Sequence, residues 1–557
     1  MYIEKVKQKT KKKTYTQVLV RRSYRVKENG TSKVKHETVL NITKWPEAIQ
    51  EAMKLILKDP EKVLELEALH GDKKLELIEG KSIGAVLVLV QVAKQLGITK
   101  ALGRDKRQKE LALWQIVARV LEQGSRLSSV RLHNIYALAE AIGIEKKFSE
   151  DHLYENLHWL SKNQDKIEDR LFKIRHPEVK PTMLLYDVTS SYFEGQKNEL
   201  AAFGYNRDKK SGKKQIVVGL LCDTKGEPIS IQVFAGNTQD PKSVSDQIKK
   251  TVERFGCEEV TFVGDRGMLK SAQREELAEV GFHYITAYTN SQIRKLIRDD
   301  IIQLDLFDEK IYEVQHEEKR LILRRNPVRR LEQSNTRNSK LESLKCFIEK
   351  KNVYLAGGPN RKVEVAGKHI NNKISNYKFS SWIQLSETNR VFSISIDETA
   401  KQKASDLDGC YVLVSDLDKS KATAQEIHRC YKDLAMVEKS FRISKTGHLE
   451  LRPIHVRSEE STRGHVFVIM LAYLLRMKLE QAWVSIDCTV EEGLKSLNTI
   501  CTLSLSSVPS KLERIPKPRQ LSRQLLEALN IELPPAIAMS NLDVATKKKL
   551  NKRKLNS

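Results

Sequence analysis

The sequence predicts an α/β fold built on a sheet of mixed strand direction. Residues 180–290 alternate strand, hairpin, strand, helix, strand, helix and strand, an order typical of such sheets. Two apolar runs in this stretch, 182–193 and 260–266, have the composition of buried strands and contain Asp187 and Asp265. A buried carboxylate is unfavourable without a partner. Because hard divalent cations prefer oxygen ligands, the repeated arrangement indicates a metal site at one edge of the sheet.

A third carboxylate lies on a predicted helix. Residues 422–446 contain no Gly or Pro and carry apolar residues at helical spacing. Tyr431, Glu438 and Lys445 are each seven residues apart, nearly two turns, so they share one stripe of the helix. A phenol, a carboxylate and an ammonium on one stripe fit a metal ligand flanked by phosphate-binding groups. An ordinary solvated helix face is the alternative interpretation.

The order Asp187, Asp265, Glu438 resembles the DDE transposases encoded by bacterial insertion sequences. The predicted helix is similar to the signature Tyr-x2-Arg-x3-Glu-x6-Lys of one group of these enzymes. Leu434 stands at the Arg position of the signature, and Arg442, one turn after Glu438, is the expected substitute. Further matching stretches are FGYNRDKK at 203–210, QIVVGLLCDTKGEPISIQVFAGNTQD at 215–240 and GDRGM at 264–268.

The resemblance implies a ribonuclease H-like mixed sheet with helices, interrupted by a large β-rich insertion and preceded by a basic hairpin and a helical region. In that fold the first and fourth strands are neighbours, which would bring Asp187 next to Asp265. The resemblance also implies that Asp187, Asp265 and Glu438 are catalytic and hold two Mg²⁺ or Mn²⁺ ions. The expected DNA contacts near the cut are Tyr431, Lys445, Arg442 and Arg266.

The activity that the resemblance implies is DNA transposition. The ends of a mobile element would be cut by metal-dependent hydrolysis, and their 3′ ends would be joined to target DNA. The implied partners are double-stranded DNA, as terminal inverted repeats and as target, and a second copy of the chain in a homodimer that holds two ends together. Two alternatives differ in class: a ribonuclease H-like nuclease or resolvase that cuts without joining, and a non-catalytic DNA-binding descendant of a transposase.

Composition bounds the choice of partners. The formal net charge is +25 and the pI is about 9.5, which favours a polyanion, most simply DNA, with RNA and anionic membrane as alternatives. The seven cysteines form no CxxC pair, so we expect reduced thiols and neither a disulfide framework nor a zinc site. No signal peptide is visible, and the most apolar segment, 465–475, is too short to span a bilayer. Together with the resemblance to bacterial transposases, these features lead us to expect a cytoplasmic, nucleoid-associated bacterial protein without a membrane partner.

The first 45 residues are predicted to form a basic β-hairpin arm. Residues 1–36 contain twelve Lys or Arg and two Glu. Residues 15–24 alternate as a strand does, and Glu28-Asn29-Gly30 is a turn signal. Such concentrated charge favours phosphate contact over an arm without a defined partner. The candidate DNA contacts are Lys11, Lys12, Lys13, Arg21 and Arg22.

The region 46–179 is predicted to be helical and to bind DNA. Helices are expected at 83–97, 106–123, 128–142 and 151–174. The basic residues around the Gly124 turn are compatible with a helix-turn-helix that reads DNA or with a helical bundle whose basic face is solvated. These residues are Arg119, Arg126 and Arg131.

The catalytic core is predicted in two parts, 180–294 and 416–480. Far more than a connecting loop separates Asp265 from Glu438, so 295–415 is predicted to be an inserted domain. It is expected to contain helical segments, including 337–351, followed by strands at 363–365, 382–385, 392–396 and 411–414. Its basic cluster at 319–330, which includes Arg324 and Arg325, is predicted to track phosphates rather than to form a solvated face. Residues 481–557 are predicted to form a C-terminal helical region with a basic tail.

Overall fold

The computed structural model describes most of the chain. The described residues are 1–9, 14–28, 31–58, 76–195, 197–205, 207–208, 210, 212–445, 448–452, 454–507, 510–538, 542, 544 and 546. The strands are β1 Tyr2–Lys9, β2 Thr14–Glu28, β3 Thr31–Asn41, β4 Glu76–Ser82, β5 Met183–Tyr192, β6 Gln215–Cys222, β7 Pro228–Ala235, β8 Thr261–Gly264, β9 His283–Ala287, β10 Tyr312–His316, β11 Lys319–Arg325, β12 Ile383–Thr388, β13 Val391–Ile396, β14 Cys410–Ser415, β15 Cys501–Ser507 and β16 Ser510–Arg514.

Helices connect and cover these strands. They are α1 Glu47–Lys58, α2 Gly84–Gln95, α3 Ile98–Ala101, α4 Lys106–Leu121, α5 Arg126–Arg131, α6 Leu138–Ile142, α7 Glu150–Arg175, α8 Asp240–Lys250, α9 Ser271–Glu279, α10 Asn290–Arg298, α11 Pro327–Ala356, α12 Val363–Asn376, α13 Glu398–Ser405, α14 Ala424–Lys445, α15 Glu459–Ala482, α16 Val490–Asn498 and α17 Gln520–Glu527. Short 3₁₀ turns lie at Leu132–Asn134 and Leu304–Leu306, and a π-helical turn lies at Thr251–Phe255.

The chain divides into two compact units. The smaller unit comprises Met1–Val88, Arg131–Lys147 and Ala482–Asp543. The larger unit comprises Leu89–Val130, Phe148–Gln481 and Val544–Ser557. The carboxylates singled out in the sequence all belong to the larger unit.

The larger unit is built on a mixed sheet. Among the described residues, eight strands pair in the order β10-β11-β14-β9-β8-β5-β6-β7. β5 is parallel to β8 and β8 to β9, whereas every other neighbouring pair is antiparallel. β6 is buried along its whole length, as its continuous apolar run QIVVGLLC requires of a strand covered on both faces. The predicted α/β class with a mixed sheet is therefore confirmed.

A close approach between β5 and β6 depends on a glycine. Gly219 pairs with Val188, and a Cβ at this position would lie 2.2 Å from the hydroxyl of Tyr186. The space left by the missing side chain lets the Tyr186 ring lie fully buried, with its hydroxyl donating to the carbonyl of Ser243 at 3.3 Å. The ring anchors the strand one residue before Asp187.

Residues 326–409 leave the sheet between β11 and β14 and form an insertion with its own apolar core. Its core comprises residues from both long helices and the β12–β13 hairpin, among them Leu344, Ile348, Ile370 and Trp382. α11 begins at Pro327, where the Asn326 side chain accepts from the backbone N–H of Arg329. β10 and β11 also lie within the predicted 295–415 insertion, but they belong to the large sheet.

The prediction of a β-rich insertion is wrong for this segment. Residues 363–365, predicted as a strand, form the first turn of α12. The β-branched Val363 and Val365 suggested a strand, whereas Ala366, Ile370 and Ile374 are buried at a spacing of four residues and set the helical period. The predicted strands at 382–385, 392–396 and 411–414 correspond to β12, β13 and β14.

The smaller unit contains two antiparallel sheets within the described residues. β1, β2 and β3 form one, which adds a strand to the predicted hairpin. Its apolar core is small, since Val18, Val20 and Ile42 are its buried members. β16, β15 and β4 form the other, so strands accompany the helices predicted at the C-terminus. Lys11, Lys12, Lys13 and the basic tail lie outside the described residues.

Two of the three arginines around Gly124, Arg119 and Arg126, face the protein interior in the larger unit, whereas Arg131 is half-buried in the smaller unit. Arg119 and Arg126 are each 5% exposed. Arg119 donates to the carbonyl of Gly124 at 3.0 Å, and Arg126 donates to Nδ1 of His465 at 3.1 Å. These two side chains therefore support the fold and present neither a DNA-reading face nor a solvated basic face. In the described part of the chain, no helix is both long and apolar enough to cross a membrane.

Candidate active site

β5 and β8 bring the first two carboxylates to neighbouring positions. Their parallel register pairs Tyr186 with Gly264, and the next residue of each segment is an aspartate, Asp187 or Asp265. Oδ1 of Asp187 accepts from the backbone N–H of Val188 at 2.8 Å, and Oδ1 of Asp265 accepts from the backbone N–H of Arg266 at 2.7 Å. The predicted adjacency of the two aspartate-bearing strands is confirmed.

α14 carries the third carboxylate across the same sheet. Its buried face has residues three and four apart, the period of a helix packed on a core: Ile427, Cys430, Leu434, Val437 and Phe441. Leu434 belongs to this apolar stripe, which explains why an arginine does not fit at the position that the signature assigns to one. Glu438 and Arg442 are exposed on the other side of the helix. The helix therefore presents its polar stripe away from the core.

One hydrogen bond and the mutual effect of charges place this stripe near the aspartates. The hydroxyl of Tyr431 donates to Oδ1 of Asp265 at 3.4 Å. Burial raises the pKa of Asp187 to about 7, and the charges of Asp265 and Glu438 raise it as well. Burial likewise raises the pKa of Tyr431, followed by the effect of Asp265. The three carboxylates thus lie within one electrostatic neighbourhood.

The carboxylate oxygens of Asp187, Asp265 and Glu438 are the kind of ligand that a hard divalent cation prefers. A cation would also relieve the mutual effect of their charges. Within the described residues, however, no three His, Cys, Asp or Glu side chains, these carboxylates included, lie close enough together to hold a metal ion. Joint metal binding by the three carboxylates therefore stays a proposal.

Lys445, the last member of the stripe, is held by a carboxylate that the sequence analysis missed. Its Nζ lies 3.0 Å from Oδ1 of Asp208, and a guanidinium nitrogen of Arg452 lies 2.6 Å from the same oxygen. The Asp208 side chain is 3% exposed, and its Oδ2 accepts from the backbone N–H of Tyr192. Burial lowers the pKa of Lys445, whereas Asp208 raises it. The available signal was an aspartate within the basic FGYNRDKK stretch.

Arg207, also missed in the sequence, links the same stretch to the site. Its guanidinium donates to Oδ2 of Asp240 at 2.6 Å, and its backbone N–H donates to Oγ of Ser190 at 2.9 Å. Its positive charge lowers the pKa of Asp187. The segment therefore docks on β5 just beyond the first aspartate.

The other predicted DNA contacts lie in different settings. Arg266 is exposed next to Asp265, and Arg442 is exposed one turn after Glu438. Arg21 pairs with Glu4 and Arg22 with Glu37, each at 2.8 Å, in the smaller unit. The contacts of these side chains to DNA stay predictions.

The basic cluster on β11 is largely engaged within the larger unit. Arg324 donates to the carbonyl of Glu309 at 2.9 Å and to Nε2 of His428 at 3.1 Å. Arg325 donates to Sγ of Cys410 and to the carbonyl of Asp406, both at 3.1 Å. These hydrogen bonds hold both guanidinium groups against neighbouring elements.

Comparison with known proteins identifies the family. Residues 179–475, more than half of the chain, match the family described as Transposase DDE domain. The chain belongs to the DDE transposase family. Residues 3–66 match the IS1634 family transposase N-terminal domain, which assigns this DNA transposase to an insertion sequence. No curated protein sequence matches the chain.

One solved structure resembles this transposase weakly. It is the cryo-EM structure of a piggyBac transposase synaptic complex with hairpin DNA, with 9% identity and a TM-score of 0.35. The match covers 74% of this chain and 70% of that chain. A likeness at this level carries no argument about the site.

Proposed function

We propose that this transposase cuts phosphodiester bonds at the ends of its element by metal-dependent hydrolysis and joins the 3′ ends to target DNA. Asp187, Asp265 and Glu438 would be the metal ligands. The observation that carries the proposal is the parallel pairing of β5 with β8, which sets two aspartates side by side beneath the helix of Glu438. Two Mg²⁺ or Mn²⁺ ions bound there would supply an activated water or DNA 3′-hydroxyl and stabilise the leaving oxygen.

The chain's own side chains orient the reacting groups. The hydrogen bond from Tyr431 engages Oδ1 of Asp265 and fixes the direction of that carboxylate. Asp208 holds Lys445 and Arg452 together, and the net positive charge left on these three groups would attract a phosphate beside the cut. Arg266 and Arg442, both exposed near the carboxylates, would contact the DNA backbone on either side.

The core sheet supports a ribonuclease H-like assignment. Three antiparallel strands, β5 to β7, are continued at β5 by the parallel strands β8 and β9. We further propose that the enzyme acts as a homodimer on two element ends in the bacterial cytoplasm. In this proposal the segments 1–45 and 46–179 contribute DNA binding, and the N-terminal contacts include Arg21, Arg22 and Lys11 to Lys13.

The test is a reaction with the element's own ends. The purified full chain would be incubated with duplexes carrying the terminal repeats and with labelled target DNA, with and without Mg²⁺. We expect Mg²⁺-dependent release of 3′-hydroxyl ends followed by joined products. Cleavage without joining would favour a nuclease or resolvase, and binding without cleavage would favour a non-catalytic descendant.

A further inference from the structure

One face of the insertion carries a continuous series of cations and aromatic rings. On α11, Lys340, Phe347, Lys351 and Tyr354 are separated by seven, four and three residues, so they fall on one stripe of the helix. Lys373 of α12 and Tyr377, directly after that helix, lie against this stripe. With Arg361, from the connection between the helices, these residues define the basic–aromatic face.

The cations of this face lie over its rings. Nζ of Lys373 is 4.3 Å from the centroid of Phe347 and 5.5 Å from that of Tyr377. Lys351 lies 5.3 Å from Phe347, and the Arg361 guanidinium lies 4.5 Å from Tyr354. The rings attract the cations through their quadrupoles and restrict flexible side chains, which lowers the entropy lost when a ligand orders them.

Their charges are not neutralised by carboxylates. Among the described residues, Lys340, Lys351, Arg361 and Lys373 form no ion pair with Asp or Glu, although Lys351 approaches His369 and Lys373 approaches Ser343. Lys345 and Lys401, elsewhere in the insertion, do pair with carboxylates, Glu342 and Glu398, each at 2.9 Å. The basic–aromatic face is therefore distinguished by cations that lie over rings and have no carboxylate partner.

We propose that the basic–aromatic face binds the sugar–phosphate backbone of double-stranded DNA, at a site separate from the carboxylates. From Lys340 to Tyr354 the stripe extends about 20 Å at 1.5 Å per residue, a length that follows about six nucleotides of one strand at 3.4 Å each. The rings are already covered by cations, which favours phosphate contacts over base stacking. The proposal rests on the proposed function for its choice of DNA as the polyanion.

The test compares two double variants of the full chain that each remove two positive charges from the insertion. Lys351→Gln/Lys373→Gln alters the face, and Lys345→Gln/Lys401→Gln alters paired lysines. Binding of a fluorescent 30-base-pair duplex of arbitrary sequence is measured by anisotropy in EDTA from low to moderate salt. The slope of log K against log salt should flatten by about 1.8 in the face variant, because each lost phosphate contact is worth about 0.9. The control variant should keep the wild-type slope.

A rescue variant and a second polyanion test whether the effect depends on positive charge and on DNA. Lys351→Arg/Lys373→Arg should restore the slope, since arginine keeps both the charge and the contact to the rings. Equal slope changes in the face and control variants would overturn the proposal, as would tighter binding of poly-L-glutamate than of duplex with the same dependence on Lys351 and Lys373. Because EDTA prevents metal-dependent cleavage, the binding result is independent of the Mg²⁺ reaction that tests the proposed function.

Discussion

The Tyr431 hydroxyl donates a hydrogen bond to Oδ1 of Asp265, 3.4 Å away, and so joins α14 to the end of β8. The two residues are far apart in sequence, and the insertion is folded between them. The contact brings the polar stripe of α14 to the place where Asp187 of β5 and Asp265, directly after β8, are neighbours. It also gives a structural role to Tyr431, which lies nearly two turns before Glu438 on the helix.

Replacing Tyr431 by Phe should slow DNA cleavage modestly. The substitution removes one hydrogen bond to Asp265 but keeps the ring, and such a bond is worth about 0.5–1.5 kcal/mol, or about two- to tenfold in rate. Single-turnover cleavage at saturating Mg²⁺ measures the effect. A rate equal to wild type would mean that the contact does not orient Asp265 in the reacting complex.

Asp208 and Lys445 should act as a coupled pair. Asp208→Asn leaves two cations beside a neutral amide and should lower both the melting temperature and the cleavage rate. Lys445→Met alone should slow cleavage less than loss of any proposed metal ligand. In a double-mutant cycle, the two changes should show a coupling energy of about 0.5–3 kcal/mol, and strictly additive effects would argue against the pairing.

His465 should make the protein less stable in acid. Burial holds its pKa well below the ordinary value, with further lowering by Arg126 and Arg119. The unfolded chain therefore binds a proton below pH about 6.5 that the folded chain does not, so stability falls as pH decreases from that value. His428, whose pKa is lowered to about 4 by burial and Arg324, adds to the same trend. Melting temperatures from pH 7 to 5 should fall less steeply for His465→Gln than for wild type, and parallel profiles would contradict this account.

The basic cluster at 319–330 should divide into fold-supporting and exposed members. Arg320 is buried, donates from Nε to Glu313 at 2.9 Å and donates to the carbonyls of Leu417 and Ala422. Arg320→Gln should destabilise the protein by about 1–3 kcal/mol, because the carbonyls of Leu417 and Ala422 lose a donor. The partly exposed Glu313 keeps Lys419 as a partner. Arg329→Gln, at an exposed position, should leave the melting temperature unchanged and flatten the salt dependence of DNA binding. A large melting shift only for Arg329→Gln would reverse the assignment.

The pairing of Asp187 with Asp265 was predictable because each of the two strands combines a mostly apolar run with a single carboxylate. The apolar parts of 182–193 and 260–266 are typical of buried strands, and pairing of two such strands brings their carboxylates together. The spacing of Tyr431, Glu438 and Lys445 was equally informative, since a helix repeats nearly every seven residues.

Other features depend on tertiary contacts that local pattern does not reveal. Val363 and Val365 favour a strand locally, but the buried spacing of Ala366 and Ile370 determines a helix. Arg119 and Arg126 have the charge of a DNA-binding surface, yet a carbonyl and a histidine far along the chain accept their hydrogen bonds inside the fold. Asp208 was missed because its partners, Lys445 and Arg452, are remote in sequence.

Metal-dependent cleavage by amide variants of the carboxylates tests the central claim most directly. Asp187→Asn, Asp265→Asn and Glu438→Gln keep the side-chain shape but remove a charged ligand, and Asp433→Asn on the same helix is the matched control. We predict that each of the three lowers Mg²⁺-dependent cleavage and joining by several orders of magnitude while binding to the element ends survives, and that the control stays near wild type. Loss of cleavage in Asp433→Asn with retention in Glu438→Gln would contradict the assignment of Glu438 as the third ligand.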